Sequence, residues 1–309
     1  MAKCLACGRR GLVRVSYLEG YLCKYHFLKY FENRFYGTLE RLVEGGERVV
    51  AAISGGKDSS ALLYLLDKFS GRLNLEVVAL FVDEGIAGYS DARLSKVREL
   101  CRSLGVELVV VGFEREYGAS MDRLADRLGE RGYPMPPCTL CGVLKRRLVN
   151  VTARALGADF VATGHNLDDE VQAFYMNLLK GNVANISRDL LTAWFEIEGM
   201  VPRIKPLYFA PEREVLAYAI LRGLPFVKAA CRYVSLGMRS VVRRLLNALE
   251  REEPGTKLKL LAMRHVMAAV FRGEARGTVK LGRCRICGEP SAHEVCKACE
   301  LLSEVIGGG

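Results

Sequence analysis

The sequence predicts an α/β protein built on a mostly parallel sheet with helices on both faces, flanked by a cysteine-rich module at each end. Three observations carry that expectation. Short apolar runs rich in Val, Ile and Phe alternate with stretches of helical apolar spacing. A Gly-rich turn, Ser54-Gly55-Gly56-Lys57-Asp58-Ser59, joins the first such run to the first such helix. Cysteines at metal-ligand spacing open and close the chain.

From the start, Cys4, Cys7, Cys23 and His26 read as C-x2-C-x15-C-x2-H, a zinc spacing in residues 1–30. The layered part follows over 31–236. ERVVAAIS is a buried strand, and the run from Ser60 to Phe69 is helical through Leu62, Leu63, Leu65 and Leu66. LEVVALFVD, a helix over 91–104, ELVVVGF, a helix over 142–156 and ADFVATG continue the alternation. Such a sheet binds ligands at the C-terminal edge of its strands. Ser54 to Ser59, Asp83-Glu84-Gly85 and Gly164-His165-Asn166-Leu167-Asp168-Asp169 all leave that edge. The polar stretch 118–137 ends in GYPMPP, whose prolines exclude a regular helix just before Cys138, and it reads as a connecting loop. A helix from Pro211 to Gly223 carries acidic residues in its first turn. A basic helical region over 237–280, broken near Pro254-Gly255, leads to residues 281–309, where Cys284, Cys287, Cys296 and Cys299 form C-x2-C-x8-C-x2-C. Each terminal segment is too short to bury a core, so metal substitutes for hydrophobic stabilisation.

Half of the 309 residues are apolar, yet no run approaches the roughly 20 apolar residues of a membrane span. With no signal-like N-terminus, an intracellular, reducing, cytoplasmic setting is expected, where paired Cys-x-x-Cys units read as metal ligands rather than disulfides. The net charge of +10, with clusters at Lys145-Arg146-Arg147, Arg239-Arg243-Arg244 and Arg272-Arg276-Lys280, suits a polyanionic partner.

In the Gly-rich turn, backbone N–H groups, hydroxyls and a lysine at a helix N-terminus are suited to phosphates, although the turn is not a Walker A loop. Cys138, Cys141 and Cys231 stand one ligand short of a closed tetrahedral site. They read as an incomplete metal site, as zinc ligands completed by Cys101, or, for the CTLC pair, as a redox couple. Cys101 itself lies beside Leu100 in a helical run and reads as a buried packing thiol. Lys145 falls one turn beyond Cys141 on the same helix face, placed to reach phosphates or to be solvated. In GHNLDDE, Asp168 and Glu170 read as charges complementing a helix N-terminus, and His165 as structural.

SGGKDS after a strand is similar to the pyrophosphate loop of ATP pyrophosphatases. Together with PPCTLCG, GHNLDDE, the cysteine of KAACRY and the terminal modules, it resembles the tRNA 2-thiouridine synthetases from Cys4 to Cys299. The resemblance implies an adenine-nucleotide-hydrolase-like fold and a tRNA-uridine 2-sulfurtransferase that uses ATP and Mg²⁺ to adenylate the uridine C2 oxygen. Sulfur from a sulfur-carrier thiocarboxylate or from sulfide then displaces the adenylate. It further implies nucleotide contacts at Ala52, Ser54, Gly55, Gly56, Lys57, Asp58, Ser59, Val82, Lys145 and Gly164, with Asp169 as the catalytic carboxylate. Cys138, Cys141 and Cys231 become ligands of a 4Fe-4S cluster with one open iron, and two Zn²⁺ sit in the terminal modules, which help grip tRNA. Where relatives commonly have proline after the third cluster cysteine, this chain has Arg232. A homodimer is usual for the relatives. DEGIAGY and CTLCGVLKRR lean toward the wobble-uridine branch, whereas the C-x-x-H ending of the first module also occurs in the T-loop branch. Two other readings compete: a pyrophosphatase that ligates or amidates a small molecule, and a non-catalytic zinc-finger RNA-binding protein.

Overall fold

The computed structural model describes residues 2–188, 198–234, 238–275 and 282–306. The first module is a hairpin of β1 (Val13–Val15) and β2 (Gly20–Leu22). It runs into α1 (Lys24–Leu39), whose N-cap is Cys23, so the last two expected ligands stand at the start of a helix. Phe27, Phe31, Phe35 and Leu39 recur every fourth residue, and that stripe is buried. The helix runs unbroken across residues 30 and 31, so the module is continuous with the core beneath it.

Next come β3 (Arg48–Ile53), α2 (Lys57–Leu73), β4 (Glu76–Asp83), α3 (Ser90–Leu104), β5 (Glu107–Gly112), α4 (Phe113–Tyr117), α5 (Met121–Glu130), α6 (Pro137–Ala155), β6 (Phe160–Thr163), α7 (Leu167–Leu179), α8 (Val183–Arg188) and β7 (Arg203–Ile204). The five strands form a parallel sheet in the order β5-β4-β3-β6-β7. The chain moves outward from β3 to β5 and then resumes on the other side of β3 with β6. The crevice beyond β3 and β6 is therefore the switch point, where open α/β sheets bind ligands. Alternate residues feed two cores: Val49, Ala51 and Ile53 with Phe81 on the α1–α2–α3 side, and Val50, Val78, Leu80 and Val82 on the α5–α6 side.

After β7 come α9 (Glu212–Arg222), α10 (Met238–Glu252), α11 (Thr256–Ala275), a hairpin of β8 (Gly282–Arg283) and β9 (Pro290–Ser291), and α12 (Lys297–Val305). The break between α10 and α11 falls at Pro254-Gly255 as expected, whereas Arg276 and Lys280 of the third basic cluster lie outside the described residues.

Two expectations need correction. The stretch 118–137 is not a plain loop, because it contains α5, whose N-cap Ser120 accepts from Arg123 N and whose Met121, Leu124 and Leu128 are buried one helical face apart. The strength of that apolar stripe outweighs its polar surroundings. The following helix begins at Pro137 rather than Gly142, so the CTLC pair lies within its first five residues; proline is tolerated at the start because its missing N–H would have no helical partner.

Candidate active site and metal centres

The loop after β3 packs too tightly for side chains at two points. Gly55 has φ +72°, and a Cβ there would lie 2.9 Å from Arg93 O. A Cβ at Gly164, after β6, would lie 3.0 Å from Asp58 C and Ser59 N, so the two ligand-bearing turns touch backbone to backbone. Within the loop, Ser59 Oγ accepts from Ser54 N at 3.1 Å and donates to Gly56 O at 3.0 Å. Gly56 caps α2 with no side chain, so the N–H groups at this end of the helix have no side-chain acceptor from the cap. Lys57 Nζ lies 2.8 Å from Asp58 Oδ2 and 2.9 Å from Glu212 Oε1. Burial opposes its charge, but these two carboxylates push its pKa upward.

The β6–α7 turn delivers Asp169. Asn166 Oδ1 accepts from Asp169 N at 3.1 Å while Asp169 Oδ2 accepts from Asn166 N at 3.3 Å, a reciprocal cap that fixes the carboxylate. Asn166 Nδ2 also donates to Asp58 Oδ1 at 3.0 Å, tying this turn to the phosphate loop. Asp169 is 34% exposed at the crevice, with Arg239 Nη2 at 3.6 Å. Its neighbours Asp168 and Glu170 stand in the first turn of α7 as expected, yet both are buried. Asp168 is buried and accepts from Glu212 N at 2.8 Å and from Lys257, and buried Glu170 holds Lys205 at 2.9 Å and Arg264 at 2.5 Å. These pairs fasten α11 to the layered core. His165 Nδ1 meets Thr163 Oγ1 at 2.9 Å.

Cys138, Cys141 and Cys231 come together across 90 residues of sequence. The Cys138 thiol donates to Tyr233 O, and Tyr233 N donates to Cys231 Sγ at 3.5 Å. Burial pushes the Cys141 thiol up to about 11, against the pull of Lys145, with Glu84, Cys231 and Cys138 adding to the rise. Cys101 belongs to the core on the opposite face of the sheet, where burial pushes its thiol up to about 11 as well, so it cannot complete a zinc site with the central three. Among the described residues only the two terminal quartets bring all their ligand atoms within 4.8 Å of one another. The wider spread of three soft thiol donors fits a multi-iron cluster better than a single tetrahedral ion.

Lys145 ends on Glu84, which is buried and also meets Arg93 Nη1 at 3.2 Å. Burial works against the Glu84 carboxylate, yet Lys145 and Arg93 hold its pKa down. Glu84 and Glu212 are the site residues that sequence reasoning left without a role. Their signal was faint: an acid directly after a strand and one in the first turn of a helix. Ala52 and Val82 lie on the α6 face of neighbouring strands at the same sheet edge. A cleft of about 590 Å³ opens beside this edge, lined by Lys57, Asp168, Glu212, Arg243, Arg244 and Tyr17 of the first module.

In that module Cys4 and Cys23 Sγ lie 3.5 and 3.3 Å from His26 Nδ1, and Cys7 and Cys23 Sγ are 3.9 Å apart. In the second, Cys287 and Cys296 Sγ are 3.7 Å apart, with Cys284 and Cys299 completing the quartet and His293 outside it. Zinc bonds of about 2.3 Å to sulfur and 2.0–2.1 Å to nitrogen give tetrahedral edges of about 3.8 and 3.5 Å, so both quartets fit the ion. Burial works against ionisation of Cys4 and Cys284, yet backbone N–H donors pull each thiol down to about 6.

A switch-point crevice bearing a serine- and glycine-rich loop, a lysine and an opposed carboxylate defines a PP-loop nucleotide-binding protein, and the PP-loop domain model matches residues 26–134. The chain is 34% identical over 322 residues to the tRNA 2-thiolation protein NcsA of Haloferax volcanii, covering 98% of this chain and 99% of that one. It is 32% identical to the tRNA-5-methyluridine(54) 2-sulfurtransferase of Pyrococcus horikoshii, covering 96% and 93%. The solved structure of the U34-tRNA thiolase NcsA from Methanococcus maripaludis with its [4Fe-4S] cluster superposes with a TM-score of 0.82 at 32% identity, covering 99% of this chain and 97% of that one. The chain belongs to the tRNA 2-thiolation family of PP-loop enzymes.

Proposed function

We propose that this protein is an ATP-dependent tRNA-uridine 2-sulfurtransferase. The observation that carries the reading is the convergence of the Ser54–Ser59 loop, Asp169 and the thiols of Cys138, Cys141 and Cys231 around one sheet edge. ATP with Mg²⁺ occupies the switch point, with its phosphates on the loop N–H groups and Lys57 and its adenine beside Ala52 and Val82. The uridine C2 oxygen attacks the α-phosphorus, pyrophosphate leaves, and Asp169 takes the N3 proton released as the C2–N3 bond gains double-bond character. Hydrosulfide then adds at C2, AMP departs, and N3 regains its proton. A 4Fe-4S cluster held by the three cysteines supplies an iron with an open coordination position for the sulfur.

The terminal quartets hold Zn²⁺ and help to grip tRNA. The wobble position is favoured over the T-loop position by DEGIAGY and CTLCGVLKRR. Sulfide or a thiocarboxylated carrier protein is the donor, the active form is a homodimer, and the setting is the cytoplasm. No helix among the described residues is long and apolar enough to cross a membrane.

The test is anaerobic reconstitution with iron and sulfide, incubation with ATP and unmodified tRNA, and mass spectrometry of nucleosides from defined fragments. 2-Thiouridine in the anticodon fragment supports the full reading, and in the T-loop fragment it moves the target. Pyrophosphate release on a metabolite without tRNA would replace this reading with the ligase one.

A further inference from the structure

An arginine-lined cleft of about 360 Å³ lies outside this machinery, between α6 and the C-terminal module. One wall is Arg146 and Arg147 of α6, the facing side is Arg203 of the edge strand β7, and the far wall is Cys296-Lys297-Ala298 at the start of α12. Arg203 Nη2 donates to Arg146 O at 3.3 Å, which brings its guanidinium against the helix that carries Arg146. The Arg146 guanidinium folds back over Gly142, where a Cβ would lie 3.4 Å from Nη1, so the glycine after Cys141 leaves room for it.

Neither guanidinium has a carboxylate in this cleft. Glu289, the acid lining it, is engaged by Arg154 and by Asn150 Nδ2 at 3.1 Å. Lys297 is paired with Glu300 at 2.5 Å. Arg147 Nε is buried without a hydrogen-bond partner among the described residues. Burial and the neighbouring Arg146 pull the Arg203 guanidinium downward, as expected of like charges gathered without a counter-ion. Such an arrangement is unfavourable unless an anion completes it, and planar guanidiniums match phosphate oxygens by paired hydrogen bonds.

We propose that this cleft binds a phosphodiester of the RNA substrate, with Arg146 and Arg203 as its ligands. The proposal rests on the tRNA reading above and adds a fixed point to it. Arg146 follows Cys141 by five positions, an axial rise of about 7.5 Å, so a phosphate held here registers the RNA backbone on the helix that presents the central thiols. The C-terminal module then acts on RNA as a wall of the phosphate cleft, held against α6 through the Arg154–Glu289 pair.

The experiment is fluorescence anisotropy of labelled tRNA binding from about 50 to 300 mM salt. It compares wild type with the double variants Arg146→Gln/Arg203→Gln and Arg146→Lys/Arg203→Lys and with Arg102→Gln, on α3 across the sheet. Zinc content and melting temperature are recorded for each. Each lost phosphate contact lowers the slope of log affinity against log salt by about 0.7–0.9. The glutamine pair, which loses one phosphate contact, is expected to lose about 0.7–0.9 from the slope and at least tenfold in affinity at low salt. The lysine pair should recover most of the slope, and Arg102→Gln should match wild type. A glutamine pair that binds like wild type, or a lysine pair as impaired as the glutamine one, overturns the cleft while leaving the tRNA reading intact. A wild-type protein that does not bind tRNA overturns both.

Discussion

The Lys57 ammonium lies 2.9 Å from the Glu212 carboxylate, a contact between residues 155 positions apart. It joins the first turn of α2 to the first turn of α9, and the other Glu212 oxygen takes Arg243 at 2.7 Å. Under the proposed function, phosphate binding by Lys57 competes with this carboxylate. Lys57→Met is expected to lower ATP-dependent pyrophosphate release by on the order of 10²-fold. Glu212→Gln, which keeps a hydrogen-bond acceptor, should cost less than about tenfold. Steady-state pyrophosphate assays compare the two, and equal losses would show that Glu212 matters beyond holding Lys57.

Asp169 both caps α7 and faces the crevice, and the two roles separate on substitution. Asp169→Asn keeps an oxygen acceptor for Asn166 N, so stability should change by about 1 kcal/mol or less. Turnover should fall about 10²–10⁴-fold because the amide cannot take a proton. Single-turnover thiolation and thermal melting are the measurements, and a large stability loss with normal turnover would reverse the assignment.

Alanine at Cys138, Cys141 or Cys231 should abolish 2-thiouridine formation and reconstituted iron content together. Cys101→Ala, in the other core, should leave both unchanged at a stability cost of about 1 kcal/mol. Nucleoside mass spectrometry and iron assays on the same preparations decide this. Full iron content in a Cys231→Ala protein would favour the redox-couple reading.

Lys257 is buried against Asp168, so Lys257→Met leaves an uncompensated carboxylate between α7 and α11. A loss of about 3–5 kcal/mol follows from breaking such a pair on one side. Chemical denaturation measures it, and a loss below about 1 kcal/mol would mean the carboxylate is neutral or solvated.

Glu84 titrates below the ordinary glutamate range in the folded protein. The unfolded chain therefore binds its proton at higher pH than the folded one does. The stability Glu84 contributes is present above the unfolded pKa and is lost as pH falls through the folded one. Glu84→Gln should flatten the acid limb of the stability–pH curve, and an unchanged acid limb would remove Glu84 from the account.

Much of the site was legible because its chemistry depends on local spacing. Cys4, Cys7, Cys23 and His26, and likewise Cys284, Cys287, Cys296 and Cys299, sit at metal-ligand intervals, and each quartet brings its ligand atoms together as expected. The loop Ser54–Ser59 and the turn Gly164–Asp169 each follow an apolar run, and both stand at strand ends. The helix α5 was obscured because three buried residues among five charged ones carry little average hydrophobicity, though their spacing is regular. Asp168 and Glu170 do stand in the first turn of α7, but their buried cation partners were not legible, because a charge at a helix N-terminus looks the same in sequence whether water or a buried cation faces it.

The sequence by itself determined the strand–turn–helix order, the two terminal metal quartets, the phosphate-suited loop and the family likeness, since all of these are written in short-range patterns. Tertiary structure alone decided which other long-range partners meet: Glu212 with Lys57, Lys145 with Glu84, and Arg203 with Arg146. Those contacts depend on strand order and on where α9 through α11 dock. Packing of distant apolar faces sets both, and no local spacing encodes them.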